Sequence, residues 1–175
     1  NIFNASNNVK IEDKLKDIVI YSDKITYYKD DDRVLTEGKT KALIESKYEF
    51  FSKNVLLLRK EKKLSSSFTT KIISENMKSY VLDEFVYFIE NKLVKGKKVK
   101  INSNIKVKKG DADHLIFETG FFDLENKTHK ASKTEFNLQK NNFGNPENDP
   151  RMIGASSSST KNKTVVNKGI FTSCK

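Results

Sequence analysis

A unit of about thirty residues recurs along the chain, and each copy has an apolar run, a charged turn and a returning strand. The clearest copy is residues 81–101, where the aromatic and β-branched run 85–89 precedes the polar turn 90–92. Comparable apolar runs, spaced 30, 30 and 36 residues apart, start at Ile25, Val55, Phe85 and Phe121. Because a single hairpin cannot bury its apolar face alone, the repeat predicts antiparallel hairpins that stack on one another.

Two other features of the sequence have the same spacing. Charged turns fall at 30–33, 60–63, 90–92 and 125–127. A patch of small residues comes after each turn, at 36–38, 65–67, Gly96 and 131–132. The chain of 175 residues is long enough for one domain with its own core. The sequence therefore predicts a single all-β domain built from repeated antiparallel hairpins.

The segment 39–63 is open to two interpretations. Its apolar residues recur at steps of four and three, which is typical of an amphipathic helix, at Ile44, Tyr48, Phe51, Val55 and Leu58. The repeat, however, places Val55 and Leu57 where Ile25 and Tyr27 stand in the preceding copy. We favour strands for this segment, and the helix remains the alternative.

Composition divides the chain into three parts. Residues 1–8 are polar, and we expect a flexible tail there. Residues 9–140 carry the strand pattern. Residues 141–175 begin with a loop that contains both prolines, continue through a run of four serines, and end in a last strand. Since the chain starts at Asn1 and not at Met, we expect a processed product whose export signal has been removed.

The charge of the chain bears on its partners. The formal net charge is +10, which attracts anionic surfaces and ligands. Only three of the 33 basic residues are arginines, Arg33, Arg59 and Arg151. Base and phosphate recognition in nucleic acids relies on the forked guanidinium, so nucleic-acid binding is disfavoured. A general attraction to anionic ligands is left open.

No constellation of residues predicts catalysis or a metal site. His114 comes after Asp111 and Asp113 in a polar turn, and His129 stands apart from other potential ligands. The acidic run 30–32 lacks the glycine and the distal glutamate of a calcium loop. Cys174 is the only cysteine, so an internal disulfide is impossible. We therefore expect a non-enzymatic protein with no cofactor.

The apolar faces of the predicted strands are the most distinctive surface of the chain. One face is expected to point inward, with Ile18, Ile20, Ile25, Tyr27, Val55, Leu57, Phe85, Tyr87, Ile89 and Phe121. Two sheets packed about 10 Å apart would bury these side chains as an ordinary sandwich core. Sheets spread slightly further would leave an apolar trough for acyl chains, at about 0.8 kcal/mol per buried methylene. Periodicity alone favours the ordinary core.

Two stretches of the sequence resemble a known family. The motif SDKITYY at 22–28, within the strand–turn–strand repeat, resembles the organic-solvent-tolerance (OstA-like) domain of lipopolysaccharide transport. The last part of the chain resembles the segment that joins this domain to the outer-membrane barrel in the LptD family of lipopolysaccharide-assembly proteins. The residues that carry this second likeness are 148–151, 154–156 and 162–174, which end in Phe-Thr-Ser-Cys.

The resemblance implies a fold and a function. The fold would be a twisted, V-shaped β-jellyroll with open ends, whose apolar interior carries the lipid chains of lipopolysaccharide. The inward residues named above would line that acyl-chain trough. The domain would sit at the periplasmic face of the outer membrane, accept lipopolysaccharide from a periplasmic bridge protein, and pass it to its own C-terminal β-barrel with a lipoprotein plug.

The resemblance also implies contacts between chains and domains. An exposed edge, expected near residues 9–21, would pair with the bridge protein strand to strand. Cys174 would form an interdomain disulfide with a cysteine of the barrel. The family usually has a second, N-terminal cysteine, which this sequence lacks. Two alternatives stay open, a free-standing periplasmic bridge protein and an extracellular β-sandwich binding module.

Overall fold

The computed structural model describes residues 1–14, 17–108, 110–145 and 147–173 of the chain, and the fold there is all-β. Every pairing between strands is antiparallel, and consecutive strands are joined mostly by short turns. A 3-10 helix, Lys140–Phe143, lies in the long loop before the last strands. The strands are β1 (Ile2–Asp13), β2 (Ile18–Tyr28), β3 (Arg33–Ile44), β4 (Tyr48–Lys53), β5 (Leu56–Leu58), β6 (Lys63–Ser66), β7 (Thr70–Ser74), β8 (Ser79–Phe88), β9 (Leu93–Asn102), β10 (His114–Asp123), β11 (Thr128–Asn137), β12 (Arg151–Ser159), β13 (Thr164–Asn167) and β14 (Ile170–Thr172).

The fourteen strands form one sheet in which neighbours in sequence are mostly neighbours in space. β4 and β5 pair with opposite ends of β3, because the chain is interrupted at 54–55. β6 and β7 likewise pair with opposite ends of β8, on either side of residues 67–69. Pairing therefore runs from β3 through β4, β7, β8, β6 and β5 back to β3. This closed six-strand core replaces the open-ended jellyroll that the resemblance implied.

The charged turns of the repeat lie where the sequence placed them. The turns 29–32, 59–62, 89–92 and 124–127 form one row, which we call the charged-turn row. The fourth residue of each turn has a positive φ: Asp32 (50°), Lys62 (52°), Lys92 (54°) and Lys127 (58°). Successive turns are joined by backbone hydrogen bonds, from Arg59 to Asp32 (3.1 Å), Ile89 to Lys62 (2.9 Å) and Leu124 to Lys92 (2.9 Å).

The small-residue patches have a structural role at the middle of the strands. Buried Ser22 and Thr36 both hydrogen-bond to Thr40, at 3.1 and 2.7 Å. A β-carbon at Gly120 would lie 2.8 Å from the Phe122 ring. These contacts lie within β3 and β10 or between the neighbouring strands β2 and β3, and a larger side chain would not fit there without a shift.

Cross-sheet contacts show that the sheet folds onto itself. Arg59, in the charged-turn row, bonds to Asp13 at the end of β1 at 2.9 Å. Lys92, in the same row, bonds to Glu45, which comes directly after β3. We call residues 13–14, 45–47, 75–78 and 103–108 the opposite row, because they lie at the other ends of the strands. The apolar side chains that face inward are enclosed between these two rows and the middle of the sheet.

Several local predictions can be compared with the strands. Segment 39–63 is strand and turn throughout, so the strand interpretation is confirmed and the helix is wrong. The flexible tail predicted for 1–8 is also wrong, since Ile2–Asp13 pairs with β2. Polar side chains did not prevent pairing, because the ladder uses the backbone, and Thr26 donates a 2.8 Å hydrogen bond to Asn4.

One end of the sheet is β1, and the other end is formed by β13 and β14, which each pair with β12. The edge expected at 9–21 is divided: residues 9–13 belong to the outermost strand, whereas residues 18–21 lie in β2, which is paired on both sides. At the other end, β12–β14 continue the same sheet beyond the loop that comes after β11. Within the described ranges, no helix is both long enough and apolar enough to cross a membrane.

Candidate functional site

The centre of the enclosed interior is filled by aromatic side chains. Phe50 packs against Phe85 and Tyr87, with ring centroids 5.7 and 5.0 Å apart, and all three are at most 1% exposed. A second cluster lies further along the sheet, where Phe117 and Phe122 are 5.3 Å apart. These rings close the middle of the interior.

Nine of the ten residues predicted to face inward do so. Tyr27 is partly buried and packs against the core. The other eight are no more than 6% exposed: Ile18, Ile20, Ile25, Val55, Leu57, Phe85, Tyr87 and Ile89. They line one continuous apolar cluster. The structure therefore brings these nine residues together in the interior.

Phe121 is the exception, because its side chain lies on the outer face and is 42% exposed. The positive-φ turn residues Lys92 and Lys127 are 35 residues apart, whereas the predicted spacing of the last repeat was 36. A shift of one residue moves a side chain to the opposite face of a strand. The residue equivalent to Phe85 is thus Gly120, and of the two adjacent phenylalanines it is Phe122 that faces inward.

A small cavity of about 130 Å³ lies in the interior near β1 and β2. Its apolar wall is formed by Ile11, Ile18, Ile20, Tyr27, Val34 and Leu57. Arg59 lies at the edge of this cavity, with Nη2 2.9 Å from Asp13 and Nη1 2.6 Å from Asp32. Burial lowers the pKa of Arg59, but the two carboxylates outweigh burial and leave it raised. This end of the interior is closed by an ion-paired arginine.

A larger cavity of about 470 Å³ lies at the other end of the interior, between β10–β11 and β12–β13. Its volume is within the range of pockets that bind small molecules. The apolar lining consists of Leu115, Phe136, Leu138, Met152 and Val166. This cavity was not predicted from the sequence, although β10 and β11 were.

His129 is the main polar side chain of the larger cavity. Its two ring nitrogens lie 3.0 Å from Ser157 Oγ and 2.9 Å from Ser159 Oγ. Burial, together with the nearby charge of Lys78, lowers the pKa of His129 to about 4. The imidazole is therefore neutral at neutral pH and acts as a hydrogen-bonding group within an apolar wall.

The hydroxyl of Tyr87 is a buried polar group in the aromatic centre. Its oxygen has no hydrogen-bond partner among the described residues. Burial is the first cause of the raised pKa of Tyr87, so the hydroxyl stays protonated. An unsatisfied buried hydroxyl carries a desolvation cost of about 1–3 kcal/mol, which a polar ligand atom in the interior would relieve.

Two further predictions concern other chemistry. Cys174, the predicted partner of an interdomain disulfide, lies outside the described residues. Among the residues that are described, no three His, Cys, Asp or Glu side chains come together as a metal site requires. His114 pairs with Asn137 at one end of the β10–β11 ladder, and His129 pairs with Phe122 near the other end.

Comparison with known proteins does not assign the chain to a family. No protein-family model matches the sequence, and no curated protein matches it. The resemblance to the OstA-like domain accordingly depends on the motif at 22–28 and on the hairpin repeat, and the resemblance to the joining segment depends on residues 148–151, 154–156 and 162–174.

Proposed function

We propose that the chain is a non-enzymatic conduit for lipopolysaccharide, which it binds by the acyl chains. The observation that carries the proposal is the pair of apolar cavities, of about 130 and 470 Å³, at the two ends of one buried aromatic interior. An apolar wall that continues from one cavity to the other offers acyl chains similar affinity at each step. A lipid can move along such a wall without an energy source in the domain itself.

An acyl chain can pass from one cavity to the other only if the aromatic centre opens. Phe50, Phe85 and Tyr87 fill the interior between the two cavities, so they must separate for an acyl chain to pass. Each acyl methylene that moves from water into this interior contributes about 0.8 kcal/mol of hydrophobic free energy. In this proposal, the closed six-strand core is the empty state, and the open form with accessible ends is the loaded state.

The partners in this proposal are inferred from the ends of the sheet. β1 is an outermost strand, and a strand of a periplasmic bridge protein would add to it through backbone hydrogen bonds. The chain would sit at the periplasmic face of the outer membrane. Residues beyond β14 would lead to a β-barrel with its lipoprotein plug, and Cys174 would form a disulfide with the barrel.

The rival function is an extracellular β-sandwich binding module. The observation that favours it is the low exposure of the interior residues, which are packed as in an ordinary core. Such a module would bind its ligand on the outer face and leave the interior dry. The free-standing bridge protein, the other alternative, shares the conduit mechanism and differs only in having no barrel attached to it.

Site-specific photo-crosslinking separates these functions. A benzophenone side chain is placed at Tyr27 in the smaller cavity or Phe136 in the larger one, and the protein is irradiated with lipopolysaccharide. We expect labelling at both positions. Matched aromatic controls are Phe51 and Phe121, which are 37% and 42% exposed on the outer face.

The pattern of labelling decides the outcome. Strong labelling at Tyr27 and Phe136 with little at the outer positions supports the conduit. Labelling confined to Phe51 or Phe121 supports a module that binds on its outer face. Equal labelling at all four positions indicates nonspecific adsorption and contradicts an interior route.

A further inference from the structure

A third cavity, of about 320 Å³, lies where the charged-turn row meets the opposite row. The opposite row contributes Lys47, Glu75 and Lys78, and the charged-turn row contributes Glu125 and Lys127. Three cations and two carboxylates thus face one space, which leaves a net positive charge. The cavity is separate from the two apolar cavities described above, because the sets of residues that line them do not overlap.

Lys78 is the unusual member of this group. Its side chain is partly buried, with Nζ 5.3 Å from the centre of the Tyr80 ring. No carboxylate of the described residues lies within ion-pairing distance of Lys78. Burying a cation without a partner is costly. Burial and the charge of Lys127 lower the pKa of Lys78, against the opposing effect of Asp113.

The other two cations at the contact between the rows have partners. Arg59 pairs with Asp13, and Lys92 pairs with Glu45, in both cases across the contact. At the third position the cations Lys78 and Lys127 repel each other. The cations at the contact between the rows are therefore ion-paired at two places, whereas at the third place Lys78 has no carboxylate of the described residues within ion-pairing distance.

The two glutamates do not fill this gap. Glu75 and Glu125 are both exposed, and neither forms an ion pair with a described residue. Lys47 and Lys127 are exposed as well, and exposed charges of either sign are screened by water and salt, so the partly buried ammonium group of Lys78 is the least screened charge of the cavity. A mobile anion that enters the cavity can approach Lys78 more closely.

The geometry points to a binding site for a phosphoryl group between Lys47, Lys78 and Lys127. A phosphate monoester carries about −1.5 to −2 charges at neutral pH and three strong acceptor oxygens, which suits three ammonium donors. Inorganic phosphate and a lipid headgroup share this chemistry. That the group is carried by a lipid rests on the proposed function, whereas the site itself does not.

The position of Lys78 supports a lipid as the source. The charge of Lys78 acts on His129, which lines the larger apolar cavity, and the charge of Asp113, which also lines that cavity, acts on Lys78. A phosphoryl group on Lys78 would thus lie next to the apolar space. An amphipathic ligand could place its headgroup between the rows and its chains against Leu115 and Phe136.

The test measures binding of inorganic phosphate to the full chain by NMR titration. Replacing Lys78 with glutamine removes one charge-assisted hydrogen bond, so we expect the dissociation constant of phosphate to rise about tenfold or more. Lys100→Gln is the matched control, since Lys100 is exposed on β9 and forms no ion pair with a described residue. It should change the constant less than twofold.

A second variant distinguishes phosphate binding by Lys78 from a purely structural role of this residue. Lys78→Met removes an unpaired cation, so we expect its Tm in phosphate-free buffer to equal or exceed that of the wild type. Added phosphate should raise the Tm of the wild type and leave that of the variant unchanged. A structural role alone would not produce this difference in response to phosphate.

Two lipids distinguish the source of the phosphoryl group. Phosphatidic acid and diacylglycerol with the same chains are offered in detergent micelles to the wild type and to Lys78→Gln. Loss of the preference for phosphatidic acid in the variant supports the lipid source. Binding of inorganic phosphate without any lipid supports the site and contradicts the conduit. If the protein binds diacylglycerol, and Lys78→Gln and Lys100→Gln bind inorganic phosphate with equal affinity, the phosphoryl site is wrong and the conduit proposal is not affected.

Discussion

The register of β10 can be tested by replacing two adjacent phenylalanines one at a time. Phe122 is 2% exposed and contacts Phe117, Tyr80 and His129, with ring centroids 5.3, 6.4 and 6.2 Å away. Phe122→Ala removes a buried ring, which costs about 3–5 kcal/mol of unfolding free energy. Phe121 is 42% exposed, and its ring contacts the Lys95 ammonium at 5.6 Å. Phe121→Ala should cost no more than about 1 kcal/mol.

Urea denaturation, monitored by circular dichroism, measures both costs. With a slope of about 2 kcal/mol per molar urea, the midpoint should fall by about 1.5–2.5 M for Phe122→Ala and by less than about 0.5 M for Phe121→Ala. Phe→Leu at each position is the milder control and should preserve the order. Equal midpoints for the two alanine variants, or a lower midpoint for Phe121→Ala, would refute the assignment of Gly120 and Phe122 to the interior.

Two other predictions concern charged and titrating groups of the interior. Arg59→Met should lower the unfolding free energy by about 1–3 kcal/mol, because Asp13, whose side chain is 10% exposed, loses its cation. Urea denaturation measures this loss, and the double variant with Asp13→Asn should recover part of it. His129 has a pKa of about 4 in the fold against 6.5 for the free side chain, so it stabilises the fold above pH 6.5, and this contribution is lost as pH falls towards 4. The drop in urea midpoint between pH 7 and pH 4.5 should be smaller in His129→Asn, and an unchanged drop would show that other groups cause it.

The repeat predicted much of the architecture because turn chemistry and strand alternation are local properties. The turns that end at Asp32, Lys62 and Lys92 recur every 30 residues, and the strands between them alternate in the predicted sense. The interior residues Leu57, Phe85 and Tyr87 could be assigned directly from this alternation, whereas in β2 a bulge between Ser22 and Lys24 changes the inward face between Ile20 and Ile25. Small residues such as Thr36 and Gly96 also proved to mark the middle of the fold.

The remaining features depend on interactions that a strand pattern does not encode. The register of β10 was missed because the apolar pair Phe121 and Phe122 fits either face, and only the turn at Lys127 fixes it. The first half of β1 was missed because its pairing with β2 uses backbone groups of polar residues. The closed six-strand core depends on how the half-strands on either side of 54–55 and 67–69 pair, which is a tertiary property.

The contact between the two rows determines what widening the interior would cost. In each row the turns are joined along the row by backbone hydrogen bonds, such as Arg59 to Asp32 in one and Glu75 to Lys47 in the other. Among the described residues, no backbone hydrogen bond joins one row to the other. The rows are held together by the pairs of Arg59 and Lys92 and by apolar packing behind them. Separating the rows therefore breaks ion pairs and side-chain contacts and leaves the strand ladders intact, so an acyl chain that replaces the lost apolar contacts could stabilise the wider form.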